Sequence, residues 1–346
     1  MTDPSSAAPR PPLAGLRVVE LRAIGPVPFA GWLLAKLGAS VVRVVSPQDL
    51  AAQPARVGLL ELGKERIGAD LKSPEGQAVM AALLADADVL IEGFRPGVLE
   101  RMGLAPAALA ERHPRLVVGR LSGWGSRGAF AARAGHDINY LALTGVLNAI
   151  GRRDAPVPPL NIVADFGGGA MHLLVGILAK LVERSLSGVG GLVETSILAG
   201  TIGLTPYFFD RLDGGSWRLE RESNILDGAA PYYCVYPTRD GRFVAVGAIE
   251  PQFYAELLAL LGLTGEIDPT RQHDRDYWSV MRTRFAERFA SRDRDDWAAL
   301  AERTDCCVSP VLDFLEAARH PHNVANRFYT DEPVPHPREV IGFDGG

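Results

Sequence analysis

Two ionisable side chains, His136 and Asp165, stand ahead of two apolar runs within residues 135–174. His136 follows Gly135 and precedes Ile138, Leu141, Leu143, Val146 and Leu147, a spacing that fits a helix. Asp165 precedes Gly167, Gly168 and Gly169, and the apolar residues from Met171 to Val182 come next. A helix start exposes unpaired backbone N–H groups, and glycine lets a ligand approach that backbone closely. A base, an acid and an anion cradle in one segment point to proton transfer beside a carbonyl. The plain reading competes with this. An Asp ahead of a helix is most often only an N-cap, a His after Gly is usually solvated, and three glycines also allow close helix packing.

The elements that must position these residues read as alternating strands and helices. Residues 16–21 (LRVVEL) form a strand, a turn over 24–28 leads into a helix ending near Gly38, and residues 40–45 (SVVRVV) form the next strand. That order is a βαβ unit, hence a parallel sheet with a right-handed crossover. The turn lacks Gly-x-Gly-x-x-Gly, so no dinucleotide fingerprint is present. Ser73-Pro74-Glu75 opens a helix to about Ala87, with Ser73 as N-cap and Pro74 at the first helical position. Strands follow at 89–92 and 116–121, and a further one at 192–195. The first half is therefore an open, doubly wound α/β domain. Its ligand site lies beyond the strand ends, where Arg43, Arg95 and the Ser122–Gly125 turn fall. A long helix runs from Gly167 to about Ser185. A smaller α+β unit then opens with a hairpin, residues 231–238 and 242–248 around Asp240-Gly241, followed by helical patterns at 252–261, 277–289 and 293–302. Residues 308–311 return the chain, and the tail past Pro333 is Pro-rich and extended.

Composition bounds the function. The 346 residues suit two domains at about 150 each, and 47% hydrophobic content supplies their cores. A net charge of −5 with interspersed signs argues against nucleic acid and anionic membranes as partners. Cys234, Cys306 and Cys307 make neither a disulfide framework nor Cys-x-x-Cys metal spacing, which fits a reducing compartment. His320, His322 and His336 lack carboxylates at ligand spacing, so no metal is expected. His172, on an apolar helix, reads as a core histidine. The opening MTDPSSAAPRPP has no signal-peptide pattern and reads as a disordered lead, and no uninterrupted apolar run is long enough for a membrane span. A cytoplasmic, soluble protein is expected.

The segments LRVVEL, ASVVRV, IGADLKSPEG, ADVLIEGFRPGV, LSGWG, GHDINY, NIVADFGGG and DGRFVAVGAIEPQFY occur in an order that resembles the family III CoA-transferases, on their α-methylacyl-CoA racemase branch. Singly these motifs are weak; their ordered co-occurrence over about residues 12–329 is specific. The resemblance implies a Rossmann-like large domain with an open parallel sheet plus a smaller α+β domain. It also implies an interlocked homodimer whose site lies between the large domain of one subunit and the small domain of the other. The expected boundaries are a lead over 1–12, a large CoA-binding domain over 13–190 with a return at 318–346, a linker at 191–222 and a small domain at 223–317.

In GHDINY the resemblance makes His136 the base, in DFGGG it makes Asp165 the partner, and in AIEPQ it makes Glu250 the group orienting the histidine from the other subunit. No cofactor is implied, because the acyl-CoA thioester is itself the substrate. Inverting a carbon beside a thioester carbonyl requires proton removal on one face and delivery on the other, by groups in opposite protonation states. The enolate oxygen needs donors, which the backbone of Asp165, Gly167 and Gly168 would offer. Arg43, Arg95 and then Lys64 are the candidates for the CoA phosphates, arginine being suited by its bidentate fork.

Ser40 stands where many relatives carry an acid. Only Met171, among five methionines, falls near the proposed site, so the acyl path is stiffer than the Met-lined path of the racemases. Two other functions use the same residues. A CoA-transferase would employ Asp165 as nucleophile through a covalent aspartyl intermediate. A non-catalytic acyl-CoA-binding protein would need the phosphate-binding residues without the acid–base pair. His136 and Glu250 favour the racemase, since a transferase has no use for a second base facing the α-carbon.

Overall fold

The computed structural model describes residues 10–52, 57–338 and 341. Positions 1–9 of the expected lead, and 339–340 and 342–346 of the tail, lie outside the described residues. The chain divides into two compact units. Of the described residues, the larger holds those from 10 to 147 and 158–210, and the smaller holds 148–157 and those from 211 to 341.

In the larger unit, β1 (Arg17–Leu21) is followed by helix α1 (Pro26–Lys36), β2 (Ser40–Val45), β3 (Lys64–Gly68), α2 (Pro74–Ala85), β4 (Val89–Glu92) and β5 (Val117–Ser122). Next come α3 (Asp137–Ala142), a π-helical turn over Val163–Ala170 that runs into α4 (Met171–Ser187), β6 (Gly191–Ser196) and α5 (Ile197–Gly203). All six strands pair in parallel in the order β3-β2-β1-β4-β5-β6. The order reverses between β1 and β4, so a crevice opens there beyond the carboxyl ends of the strands. The β-branched runs behave as read: β4 and β5 are buried along their whole length, as expected of strands covered on both faces. Ser73 caps α2 by accepting the Gly76 N–H at 3.0 Å.

Two boundaries differ from the expectation. Residues 191–196, assigned to the linker, pair with β5 as the sixth strand, and residues 197–210 stay with the larger unit. The return from 318 clusters with the smaller unit, not the larger. There, Thr330 N–H donates to His336 O at 2.9 Å and Tyr329 bridges Pro337, so the tail doubles back on itself.

The long helix also differs. The helical segment covers Leu160–Ser187, is apolar enough in composition to cross a membrane, and is 39% buried over its most apolar window. Its Leu173, Leu174 and Ile177 are buried in the core under the sheet. Val175, Val182 and Leu186 project from one face at helical spacing and are 64%, 64% and 86% exposed.

The smaller unit builds its own core around Tyr232, Tyr254, Phe285 and Phe289, all buried. Its antiparallel sheet runs β7 (Tyr233–Pro237), β8 (Phe243–Gly247), β9 (Val308–Pro310), with the hairpin turning at Gly241 (φ 74°). Helices α6 (Pro251–Leu260), α7 (Trp278–Phe289) and α8 (Arg294–Ala301) pack on it, within a residue or two of the expected spans.

Candidate active site

The loop entering α3 is shaped by aromatic packing. A Cβ on Gly135 would lie 2.7 Å from the Trp124 ring and 2.8 Å from that of Tyr140, so only glycine fits. The Tyr140 hydroxyl donates to Gly135 O at 2.5 Å, and Trp124 meets Tyr140 edge-on with centroids 4.6 Å apart. His136 then takes the N-cap position of α3 with extended backbone (φ −132°, ψ 171°), its N–H donating to Asn139 Oδ1 at 3.1 Å. Its ring is exposed. The Asp137 and Ile138 N–H groups, first in the helix, have no acceptor among the described residues.

Asp165 sits in the first turn of the π-helical segment, half-buried. Its backbone N–H donates to Asp137 Oδ1 at 2.8 Å, which ties the DFGGG segment to the residue after His136. Burial, and next the negative charge of Asp137, push the Asp165 carboxyl up from 3.8 to about 6, against the pull of Asn161 and His136. The carboxylate also lies against the start of α1, since a Cβ on Gly25 would come 3.1 Å from Asp165 Oδ2. The structure thus brings His136 and Asp165 into electrostatic contact, with Asp137 between their backbones.

The anion cradle expected at Asp165–Gly169 is built differently. The helix begins several residues earlier, at Leu160, so these N–H groups are not at a free helix end. The Asp165 N–H is taken by Asp137. Gly167 lies inside the π-helical turn, and Gly168 is buried against α5, where a Cβ would meet Thr201 Oγ1 at 2.3 Å. Gly168 serves helix packing.

The phosphate candidates separate in the same way. Strand register sets Glu20, Arg43 and Arg66 side by side across β1, β2 and β3. The Lys64 side chain is fully buried, donating to Glu20 Oε2 at 2.6 Å and Pro28 O at 2.8 Å, and burial lowers its pKa while raising that of Glu20. Lys64 therefore serves an internal ion pair here and faces no ligand cleft. Arg43 is held by Glu20 at 3.3 Å, by Ala23 O at 3.0 Å and by Glu61. It opens on a cleft of about 260 Å3 that Arg22, Asp49 and Arg66 also line. The buried Arg66 Nε has no hydrogen-bond partner among the described residues. Arg95 is exposed in the loop after β4, close enough to Tyr140 to act on its titration.

In the smaller unit, Glu250 is exposed at the N-cap position of α6. The buried Gln272 braces the segment before it, donating to Ala248 O at 3.2 Å and Ile249 O at 2.8 Å. Sequence reasoning missed Asp137, Arg22 and Arg66. The charged residues inside otherwise apolar strands, Glu20 and Arg43, were the signal for the latter two. Among the described residues no three His, Cys, Asp or Glu side chains converge as a metal site.

Comparison with known proteins agrees with this architecture. The chain is 46% identical to the α-methylacyl-CoA racemase of Mus musculus, covering 94% of this chain and 85% of that protein. It is 44% identical to the Homo sapiens racemase over 90% of this chain and 80% of that one. A CAIB/BAIF family protein from Brucella suis superimposes with a TM-score of 0.81 at 26% identity, covering 97% of this chain and 93% of the other. The sequence profile described as CoA-transferase family III matches residues 13–343, and the chain belongs to that family.

Proposed function

We propose that the protein is an α-methylacyl-CoA racemase, moving a proton on and off the α-carbon of a 2-methyl-branched acyl-CoA without a cofactor. The observation that carries this reading is Asp165, whose carboxyl is pushed up to about 6 beside His136 and tied to it through Asp137. A carboxyl near 6 exchanges its proton readily around neutral pH, as a partner for an imidazole must. In one direction Asp165 takes the α-proton, the C–H electron pair moves to the thioester oxygen as an enolate, and imidazolium returns a proton to the opposite face. The other direction reverses these roles.

The free N–H groups of Asp137 and Ile138 replace the expected glycine cradle as donors to that oxygen. Arg43, with Arg22 and Arg66 around the same cleft, receives CoA phosphate, with Arg95 near Tyr140 as a further phosphate ligand; Lys64 acts through Glu20 by holding Arg43 in place. Glu250 orients His136 from a second copy of the chain. The exposed stripe Val175, Val182, Leu186 on α4 supports such a homodimer, since large apolar faces are seldom left open.

The test starts from a single epimer of a 2-methylacyl-CoA. The protein converts it to an equal mixture, and His136→Ala loses turnover by orders of magnitude while still binding CoA. A His136→Ala protein of full activity would overturn the reading.

A further inference from the structure

Several arginines of this protein pair with carboxylates. In the smaller unit Arg294 meets Glu316 at 2.8 Å, Arg239 meets Asp293 at 2.8 Å, and Arg284 and Arg288 share Glu266. One cleft of the same unit gathers arginines without such partners. Arg153, Arg218, Arg275 and Arg282 line a cavity of about 350 Å3, and among the described residues none of the four makes an ion pair. The cavity's one carboxylate, Glu222, is already engaged: it accepts the Arg153 backbone N–H at 3.1 Å and faces the Arg152 guanidinium at 3.6 Å.

Three of these guanidinium groups are instead placed by neutral groups. Arg282 is partly buried and donates to the Gly228 and Ala229 carbonyls at 2.6 and 2.5 Å. Arg275 lies over the Trp278 ring at 5.7 Å. Arg153 donates to Glu222 O at 3.4 Å. Four like charges lining one cavity repel one another, and the carbonyl and ring contacts of Arg153, Arg275 and Arg282 hold those three without neutralising them. Glu222 itself holds φ 51°, a strained conformation for a non-glycine residue. Ser279 adds a hydroxyl to the lining, while that of Ser223 donates to Glu220 O.

A second lobe of about 410 Å3 shares Arg153, Arg218 and Ser223 with the first and adds Asn148, Leu219, Glu220 and Arg221. The guanidinium groups of the first lobe, and the Leu219 side chain beside the Asn148–Arg221 pair in the second, describe a ligand with an anionic head and an organic body. Guanidinium forks match phosphate oxygens in pairs, and the first lobe is within the size range of small-ligand pockets.

We propose that this cleft binds an organic phosphate, its phosphoryl group among Arg153, Arg218, Arg275 and Arg282 and its organic portion along the Asn148–Leu219 lobe. The site belongs to the smaller unit and is separate from the Arg43 cleft of the larger one.

The test uses the full-length Arg43→Gln protein, so that the larger unit's anion cleft is weakened. Calorimetry with pyrophosphate, ADP and CoA is expected to show saturable binding that weakens as salt rises. Adding Arg218→Gln and Arg275→Gln should weaken it at least tenfold with an unchanged melting temperature. If that combination fails to fold, Arg153→Gln alone should weaken binding severalfold. ADP or CoA binding more tightly than pyrophosphate would assign the second lobe to the organic portion, whereas equal affinities would overturn that assignment. No binding in the Arg43→Gln protein, binding untouched by the arginine substitutions, or closure of the cleft by a second copy with dissociation of the oligomer in Arg218→Gln would overturn the proposal.

Discussion

Replacing Asp137 by Asn tests the electrostatics of the pair most finely. Asn keeps an Oδ1 to accept the Asp165 N–H, now at 2.8 Å, so the tie between the two segments survives while the charge goes. Backbone geometry then sets the two carboxylates roughly 6 Å apart. At an effective dielectric of about 40, for a half-buried pair, their repulsion is about 1.4 kcal/mol, or about one pH unit. Burial is the larger cause of the Asp165 shift and remains in the variant. The Asp165 carboxyl should therefore fall from about 6 to roughly 5, still above its ordinary value of 3.8. Below the acid limb of kcat/KM both members of the pair are protonated and no base is left. That limb, measured by epimer interconversion at each pH, should accordingly move down by about one unit. A limb that stays in place or moves up would refute the electrostatic role of Asp137.

Asp165→Asn should abolish turnover yet stabilise the fold. A carboxyl whose folded pKa is about 6 against an ordinary 3.8 carries no penalty below the lower value and the full penalty above the higher. The gap corresponds to at most about 3 kcal/mol, and partial solvent access reduces it to about 1–2 kcal/mol; urea melts at pH 7.5 should show the gain and melts at pH 4 should not. Lys64→Met leaves Glu20 buried with only Arg43 at 3.3 Å, and should cost about 3 kcal/mol in the same assay. If Glu250 acts on the His136 of a second copy, mixing inactive His136→Ala and Glu250→Ala proteins should restore up to about one quarter of wild-type activity, because half of the reassorted dimers carry one intact site. No recovery after subunit exchange would place both residues in one chain's site.

Much of the scaffold was legible because local chemistry and tertiary demand agreed. The β-branched runs became buried parallel strands, Ser73-Pro74 opened its helix, and Asp240-Gly241 turned its hairpin. The sequence misled where one residue type serves two physical roles. Gly168 was read as an approach to a ligand, but α5 occupies that space, a fact set by residues over thirty positions away in the chain. Lys64 has the charge of a phosphate ligand. Its ion-pair partner, Glu20, lies two strands away and is aligned with Arg43 and Arg66 instead, so only the folded sheet brings the two side chains together. Asp137 was hidden because an acid in the first turn of a helix already has a reason to be there. The strand at 192–195 was read, but the linker boundary was drawn ahead of it, because the glycines at 188, 190 and 191 mark a break while the pairing with β5 is a tertiary fact.

The most direct measurement is solvent deuterium incorporation. The purified protein is incubated with a 2-methylacyl-CoA in deuterium oxide, with no acceptor acid present, and label at the α-carbon is followed by mass spectrometry. Uptake by the wild-type protein, lost in both His136→Ala and Asp165→Ala, is the predicted result. Absence of uptake across several acyl chains, together with a covalent adduct on Asp165, would contradict the proton-transfer account and identify a transferase.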